Sequence, residues 1–322
     1  MRLVQVERKS RVLKTASFGC LQGAYTINLT RGCGFQCLYC YARGYPGAPQ
    51  GEEVELFQNL PEKLRSELDN PRRRCRVDWV ALNTASDCFQ PDPRILEIAY
   101  QVMDILLSRG VALSFLTKGS IPQSFISLFA AYPELVTPRI GLVSPDAAYR
   151  SLFEPHTATA EERLASIERL QGIGLQPWVR LDPIIPFVTD DAATLRRMCA
   201  ALAEVQVKRV SASYLHLRPA VLSQLRRGLP ATQFELLNSC FSAQDWITVG
   251  SSARSKLVPR SLRQRGYERL RSIAKGYGVQ VLVCGCKNPD LSGQICGARP
   301  AKHGSKPPGG PGGIQRSLLD IP

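Results

Sequence analysis

The sequence predicts an α/β protein built on a parallel sheet. Apolar runs of strand length alternate with helical patterns along most of the chain, and each strand-plus-helix unit takes about 30 residues. The run VDWVALN is continuously apolar, as strands buried on both faces are. Residues Tyr25 to Thr30 (YTINLT) form the first strand, which ends where RGCGFQCLYCYAR begins. A helical pattern spans Leu56 to Leu68, and Val77 to Asn83 is the second strand. Pro93 opens a helix that sets Ile95, Ile98, Val102, Ile105 and Leu106 on one face, and Gly110 stops it. Val111 to Thr117 is the third strand, Pro122 to Tyr132 a helix, and Arg139 to Ser144 the fourth strand. Thr159 caps a helix from Ala160 to Leu170, with Glu162 completing a capping box. Leu175 to Ile185 is the fifth strand, Asp190 caps a helix through Ala203, and Val207 to Leu215 is the sixth strand.

Beyond Leu215 the order changes. Pro219 to Asn238 reads as helical, Ser261 to Lys275 as a basic helix, and Val279 to Cys284 as a last strand. The segment RPAKHGSKPPGGPGG has too little apolar surface to order itself. The chain therefore divides into an N-terminal arm (1–23), a strand-and-helix unit (24–216), a C-terminal extension (217–298) and a disordered tail (299–322).

At ~150 residues per domain, 322 residues allow two domains or one barrel with extensions. No run reaches the ~20 apolar residues of a membrane span, and the polar N-terminus is no secretory leader, so a cytoplasmic, reducing setting is expected. Eleven cysteines there point to metal or catalysis rather than to a disulfide framework. A formal charge of +14 points to an anionic partner, without bearing on fold.

Cys33, Cys37 and Cys40 form C-x3-C-x2-C on the loop after the first strand, where βα loops gather chemistry at the C-terminal strand ends. Three soft thiolates on one loop can each hold one iron of a cubane and leave the fourth iron open for a cofactor. The competing reading is zinc on Cys37 and Cys40 with a second pair such as Cys284 and Cys286.

The triad, its strand-to-loop placement and the repeated units resemble the radical S-adenosylmethionine (SAM) superfamily, over roughly Ala24 to Leu215. The resemblance implies a partial (βα)6 TIM-like barrel and a [4Fe–4S] cluster on Cys33, Cys37 and Cys40. It also implies SAM cleaved reductively to a 5′-deoxyadenosyl radical, and a reducing partner such as flavodoxin or ferredoxin. The segments ASDCFQPDPR, LTKGS, FEPHTATAEERL and RLDPIIPFVTDD are similar to the spore photoproduct lyase and "DNA repair photolyase" branch. By that resemblance Lys118 meets the SAM carboxylate, Ser144 the ribose, and Tyr39 lies beside the adenine. The plain alternatives are a solvated lysine and a turn serine. Ser86 and Asp87 stand where many members carry an acidic glycine-rich segment for the methionyl amino group, or else cap a turn. Arg180 and Asp182 either reach the barrel mouth or pair with each other. The branch's hydrogen-donor cysteine matches a place near Thr84; Cys88 is the nearest thiol and otherwise a packed loop residue.

Cys284, Cys286 and Cys296 form C-x-C-x9-C around a polar run, a candidate second Fe–S or zinc site with Cys75, Cys88 or His303 as a further ligand. Eight cations between Arg254 and Lys275 face one acid, Glu268, and Arg72, Arg73, Arg74 and Arg76 form a second patch. Two such patches could hold a polynucleotide beside the mouth through its phosphates, or be solvated faces. The leading expectation is hydrogen abstraction from a nucleic acid lesion or nucleotide. The alternatives are a peptide or small-molecule substrate, and a non-catalytic zinc or Fe–S nucleic-acid-binding protein.

Overall fold

The computed structural model describes residues 1–293 apart from 18, 50 and 250–252. In chain order the central unit is β1 (Tyr25–Ile27), α1 (Leu60–Leu68), β2 (Trp79–Leu82), α2 (Pro93–Leu107), β3 (Ala112–Thr117) and α3 (Gln123–Ala130). It continues through β4 (Val136–Gly141), α4 (Ala147–Phe153), α5 (Ala160–Gly172), β5 (Trp178–Ile184), α6 (Ala192–Glu204) and β6 (Arg209–Tyr214). After it come α7 (Pro219–Gly228), α8 (Ala231–Ser242), α9 (Arg260–Gly276) and β7 (Gln280–Val283). β1 to β6 stand side by side in sequence order and run parallel. β7 adds a parallel strand beside β6, and Lys14–Thr15 pairs antiparallel with β1 at the other edge. This is the α/β, parallel-strand architecture expected, with the extension's last strand built into the same sheet.

The sheet curls until its two edges meet. Parallel register sets Ala81 beside Ser114, Gly141 beside Arg180, and Arg180 beside Ser211 on one face. Ala81 also belongs to a small buried cluster with Ala16, Leu21, Ala24 and Cys284, against which Cys20 and Trp79 pack. Ala16 and Ala24 belong to the first edge and Cys284 follows β7 at the last. Side chains therefore join the edges, while no strand pairing links β7 to Lys14–Thr15 among the described residues. The larger core lies between the sheet and its helices, as the fully buried Val80, Leu113, Phe115, Val102 and Leu202 show.

Several boundaries move for identifiable reasons. The expected strand Tyr25 to Thr30 splits, because Asn83 at the end of β2 takes φ 51° and its side chain accepts from the Leu29 amide. Thr30–Arg31 then pairs with Glu53–Phe57 in a second sheet. Leu56 and Phe57 belong to that strand, so α1 begins only at Leu60, with Pro61 in its first turn where no amide is needed. Asp191, not Asp190, caps α6, accepting from the Ala193 and Thr194 amides at 2.9 and 3.0 Å. Asp190 instead accepts from the Phe187 amide and the Tyr214 hydroxyl. The expected helix Pro219 to Asn238 breaks before Pro230, which caps α8, since proline cannot sit in a helix interior. The Thr159 and Glu162 capping box is present in full. No helix among the described residues is long and apolar enough to cross a membrane. Cys296, His303 and the tail 299–322 lie outside the described residues.

Candidate active site

The loop after β1 wraps a hollow. Gly32 has φ +80°, and a Cβ there would come within 2.7 Å of the Glu53 carbonyl, so glycine alone fits between Arg31 and Cys33. Gln36 takes φ 54° and reverses the chain between Cys33 and Cys37, and the Cys40 amide closes a turn onto the Cys37 carbonyl at 3.1 Å. From outside, α7 clamps the loop: Gln224 Nε2 donates to the Cys40 carbonyl at 2.9 Å, and its Oε1 is buried with no hydrogen-bond partner.

All three thiols line one cavity of about 350 Å³ at the C-terminal ends of the strands, with Tyr39, Asp87, Lys118, Arg180 and Asp182. Burial pushes the Cys33 thiol well above its ordinary range, and the Asp87 charge adds to this. Burial likewise pushes Cys37 up to about 12 against the pull of Lys118, so binding a metal there must release protons. Among the described residues no three His, Cys, Asp or Glu side chains are grouped to hold a single ion. Ligands that each take a different iron around a hollow need no such grouping. The donor set therefore fits a cubane cluster, and the polar cavity beside it fits a zwitterionic cofactor.

A buried ion pair supports the loop from behind. Tyr39, one residue before Cys40, donates its hydroxyl to Glu154, and Tyr149 donates to the same carboxylate at 3.3 Å. Arg163 Nη2 reaches Glu154 at 2.6 Å, both side chains being about 2 % exposed. Burial opposes the Glu154 charge, but Arg163 and Lys118 outweigh it and hold the carboxyl below its usual range. The Lys118 ammonium lies 5.4 Å from the centre of the Tyr39 ring.

The remaining predicted residues divide. Asp87 lines the cavity, but its carboxylate accepts from Thr117 Oγ at 2.7 Å and from the Phe89 and Lys118 amides at 2.9 Å. It ties the β2 loop to the end of β3. Ser86 also lines the cavity and accepts from Asn83. Ser144 is off the cavity wall, its hydroxyl bonded within a turn to Asp146 at 3.2 Å. Arg180 and Asp182 both face the cavity and pair at 2.6 Å. Lys287 and Ser213 each reach Asp182 at 2.7 Å. Burial works against the Asp182 charge, yet Lys287 and Arg180 hold it far below the usual carboxylate range. Cys88 is fully buried in the main core and does not line the cavity.

Much of the two basic patches lies away from the mouth, whereas Arg254 and Lys256 belong to the strand Ala253–Leu257, which pairs with His216–Leu217, and His216 lines the cavity. Helix α9 packs on α6 and β7 on the outside of the sheet. Arg263 is buried, bonded to Asn288 and Asp290, and Arg269 donates to the Asp190 carbonyl. Arg72 to Arg76 lead into the N-terminal end of β2, opposite the mouth. Tyr267 is buried and bonded to the Tyr214 amide, while Tyr277 is exposed. Sequence reasoning missed Glu154, Arg163, Gln224 and Lys287. Glu154 and Arg163 stand within the segment FEPHTATAEERL but were not singled out there, Gln224 carries no spacing signal, and Lys287 directly follows Cys286 and could have been read with it.

A three-thiolate loop at the mouth of a curled parallel sheet, with a cation-rich cavity beside it, defines an enzyme class that pairs a site-differentiated iron–sulfur cluster with a small zwitterionic cofactor. The family model described as the Radical SAM superfamily matches residues 27–199, and the chain belongs to that superfamily. An uncharacterized protein of Mycobacterium tuberculosis is 30% identical over 219 residues, 65% of this chain and 64% of that protein. One of Methanocaldococcus jannaschii is 24% identical over 172 residues, 52% and 62% of the two chains. The chain thus spans less than two thirds of these curated relatives. In fold, it is similar to spore photoproduct lyase complexed with dinucleoside spore photoproduct, with TM-score 0.64 at 15% identity over 87% of this chain and 81% of that one. A radical SAM methyltransferase from Sphaerobacter thermophilus gives TM-score 0.51 at 17% identity over 85% and 70%.

Proposed function

We propose that this radical SAM enzyme abstracts hydrogen from a nucleotide or a nucleic acid lesion held in the cavity at the strand ends. The observation that carries the reading is the cavity wall. Arg43, Lys118, Arg139, Arg180, Arg218 and Lys287 line it, against the carboxylates Glu53, Asp87 and Asp182. At its rim Tyr41 and Tyr45 are each 39% exposed, in edge contact at 5.7 Å, and the Arg218 guanidinium lies 4.8 Å from the Tyr41 ring centre. Cations with exposed aromatic rings suit phosphates and unstacked bases.

Cys33, Cys37 and Cys40 would hold a [4Fe–4S] cluster that, with SAM and an electron from a reductant such as flavodoxin or ferredoxin, would supply radical chemistry through a 5′-deoxyadenosyl radical. This chain's residues do the rest. Lys118 offers its ammonium to the SAM carboxylate, and Tyr39, fixed by Glu154, presents its ring to the cofactor. Ser86 and Asp87 shape the wall where the methionyl amino group sits, and Arg180 and Asp182 close the floor. The C-terminal cysteines Cys284, Cys286 and Cys296 hold a second metal, a reading supported by the 3.1 Å approach of the Cys284 and Cys286 sulfurs.

Anaerobic reconstitution followed by a dithionite-driven assay for 5′-deoxyadenosine tests the chemistry. Formation from the loaded chain, and its loss on changing any triad cysteine to alanine, is expected. Product that does not depend on those cysteines sinks the reading.

A further inference from the structure

We infer that an acidic one-electron carrier protein docks on the outer face of the triad loop, against α7 and beside Arg43, Arg226 and Arg227. The inference rests on the reading that Cys33, Cys37 and Cys40 hold a cluster fed by a reductant, and adds the surface on which that reductant binds.

The loop is a partition between two cavities. On its inner side lies the strand-end cavity lined by the three thiols. On its outer side a second cavity, of about 340 Å³, is lined by Gln36 and Arg43 of the loop, by Glu52, and by Ser223, Gln224 and Arg227 of α7. Gln36 lies between Cys33 and Cys37 and faces both cavities. The inner cavity has to hold SAM and substrate away from solvent, so a donor the size of a protein reaches the triad from the outer side.

The helix α7 covers the loop there. A Cβ on Gly228 would come within 2.6 Å of Leu38 Cδ2, and one on Gly44 within 2.6 Å of the Ala220 Cβ, so α7 touches the loop segment near both of its ends. Between those points Gln224 donates to the Cys40 carbonyl at 2.9 Å. Ser223, Arg226 and Arg227 of the same helix are exposed. A helix with its side chains is about 10 to 12 Å across, so a carrier resting on α7 stands roughly one helix diameter from Cys40. Transfer across that gap makes and breaks no bond: the carrier loses one electron, the cluster gains it, and no proton moves.

The charge of this face selects the partner. Arg43 donates to the neutral Gln36 at 2.6 Å, and the Arg226 guanidinium lies 5.3 Å from the centre of the Phe234 ring. Glu52, the acid on the cavity wall, accepts from the N-terminal ammonium at 3.1 Å. Exposed guanidinium groups steer a carboxylate-rich surface toward them, and electron-transfer encounters need only a small interface, below about 1,200 Å². A polynucleotide would also seek cations, but among the described residues no aromatic ring lines the outer cavity. Tyr41 and Tyr45, on which bases could stack, line the inner one.

The test uses the full cluster-loaded chain, with a flavodoxin and a ferredoxin as probes. Binding is measured by calorimetry at about 50 mM salt, where surface charges are weakly screened, and the contact is mapped by hydrogen exchange. Amides of α7 and of the segment from Arg43 to Pro49 should gain protection when the carrier is added. Arg226→Glu with Arg227→Glu should weaken carrier binding by more than about 10-fold. Arg265→Glu with Arg271→Glu on α9 makes the same change in net charge and should weaken it by less than about 3-fold. The ratio of carrier-driven to dithionite-driven 5′-deoxyadenosine formation should fall in the first variant alone. Equal weakening by the two variants, or protection confined to other elements, overturns the docking site. Binding of neither carrier to a chain that dithionite does drive overturns it too and leaves the cluster reading intact. Absence of dithionite-driven product from the loaded chain sinks the cluster reading instead. Loss of affinity for a single-stranded oligonucleotide in the first variant, with carrier binding unchanged, gives the face to nucleic acid and overturns the proposal. Hydrogen exchange on the unaltered chain decides the matter even if a substituted chain folds poorly.

Discussion

Replacing Glu154 by leucine should bring the protein near its stability limit. Glu154 and Arg163 form a salt bridge with both side chains about 2 % exposed, so the substitution strands a guanidinium in the interior. Breaking a buried pair in this way costs about 3 to 5 kcal/mol. The Tyr39 and Tyr149 hydroxyls lose their shared acceptor as well, at about 1 to 3 kcal/mol for each group left unsatisfied. These losses overlap, but a total of about 5 kcal/mol already equals the lower end of the 5 to 15 kcal/mol typical for a folded domain. Glu154→Leu combined with Arg163→Met should recover part of the loss, because the stranded charge is gone. Recovery stays incomplete, since Arg163 also donates to the Gly141 and Ala158 carbonyls. Urea unfolding of the single and double variants, followed by circular dichroism, measures both quantities. The iron content after reconstitution should fall in the single variant, because Tyr39 adjoins Cys40. A single-variant loss below about 1 kcal/mol, or a double variant no better than the single, refutes the argument that this charge pair carries the loop.

Lys118→Met should weaken SAM binding by roughly 10- to 100-fold, the worth of a hydrogen bond to a charged group, measured by anaerobic equilibrium dialysis of the cluster-loaded chain. An unchanged affinity removes Lys118 from the cofactor site. Arg218→Ala should reduce both the affinity for a single-stranded oligonucleotide and the salt slope by about one unit, whereas Arg265→Ala on the outer face of α9 should change neither. The reverse ranking would place nucleic acid on the outer face instead. Burial, and then the Lys287 charge, lower the His216 pKa from 6.5 to about 4. As pH falls below 6.5 the unfolded chain takes up a proton that the folded one refuses, so stability drops between 6.5 and 4 by up to about 1.4 kcal/mol per unit. His216→Gln should flatten that part of the pH profile, and a slope unaltered by the substitution counts against the half-buried neutral imidazole.

The parallel units were legible because each leaves a local trace. The apolar run of β2, Pro93 opening α2 and the Thr159 capping box are all written within a few residues. The triad was legible for the same reason, three like ligands on one loop. What could not be read is what tertiary contact decides. Glu154 and Arg163 lie on opposite sides of a capped helix start and look like ordinary surface charges, yet the fold buries both under Tyr39. Individual charges of the basic run could not be sorted either. Arg263 belongs to a basic run, but its guanidinium is spent on Asn288, Asp290 and the Val258 carbonyl. Asp190 and Asp191 differ by one position, and only the turn ending in the Phe187 to Asp190 bond decides which caps α6.

Among the described residues the curled sheet is hydrogen-bonded from strand to strand from Lys14–Thr15 to β7, and no pairing joins those two edges. Edges held by side chains alone open first. Amide protons of Lys14, Thr15 and the free edge of β7 should exchange with solvent before those of β3 or β4, which have partners on both sides. Cys20 and Cys286 stand at that seam and on the cavity wall together. Opening at this seam therefore uncovers the cavity wall at these two thiols.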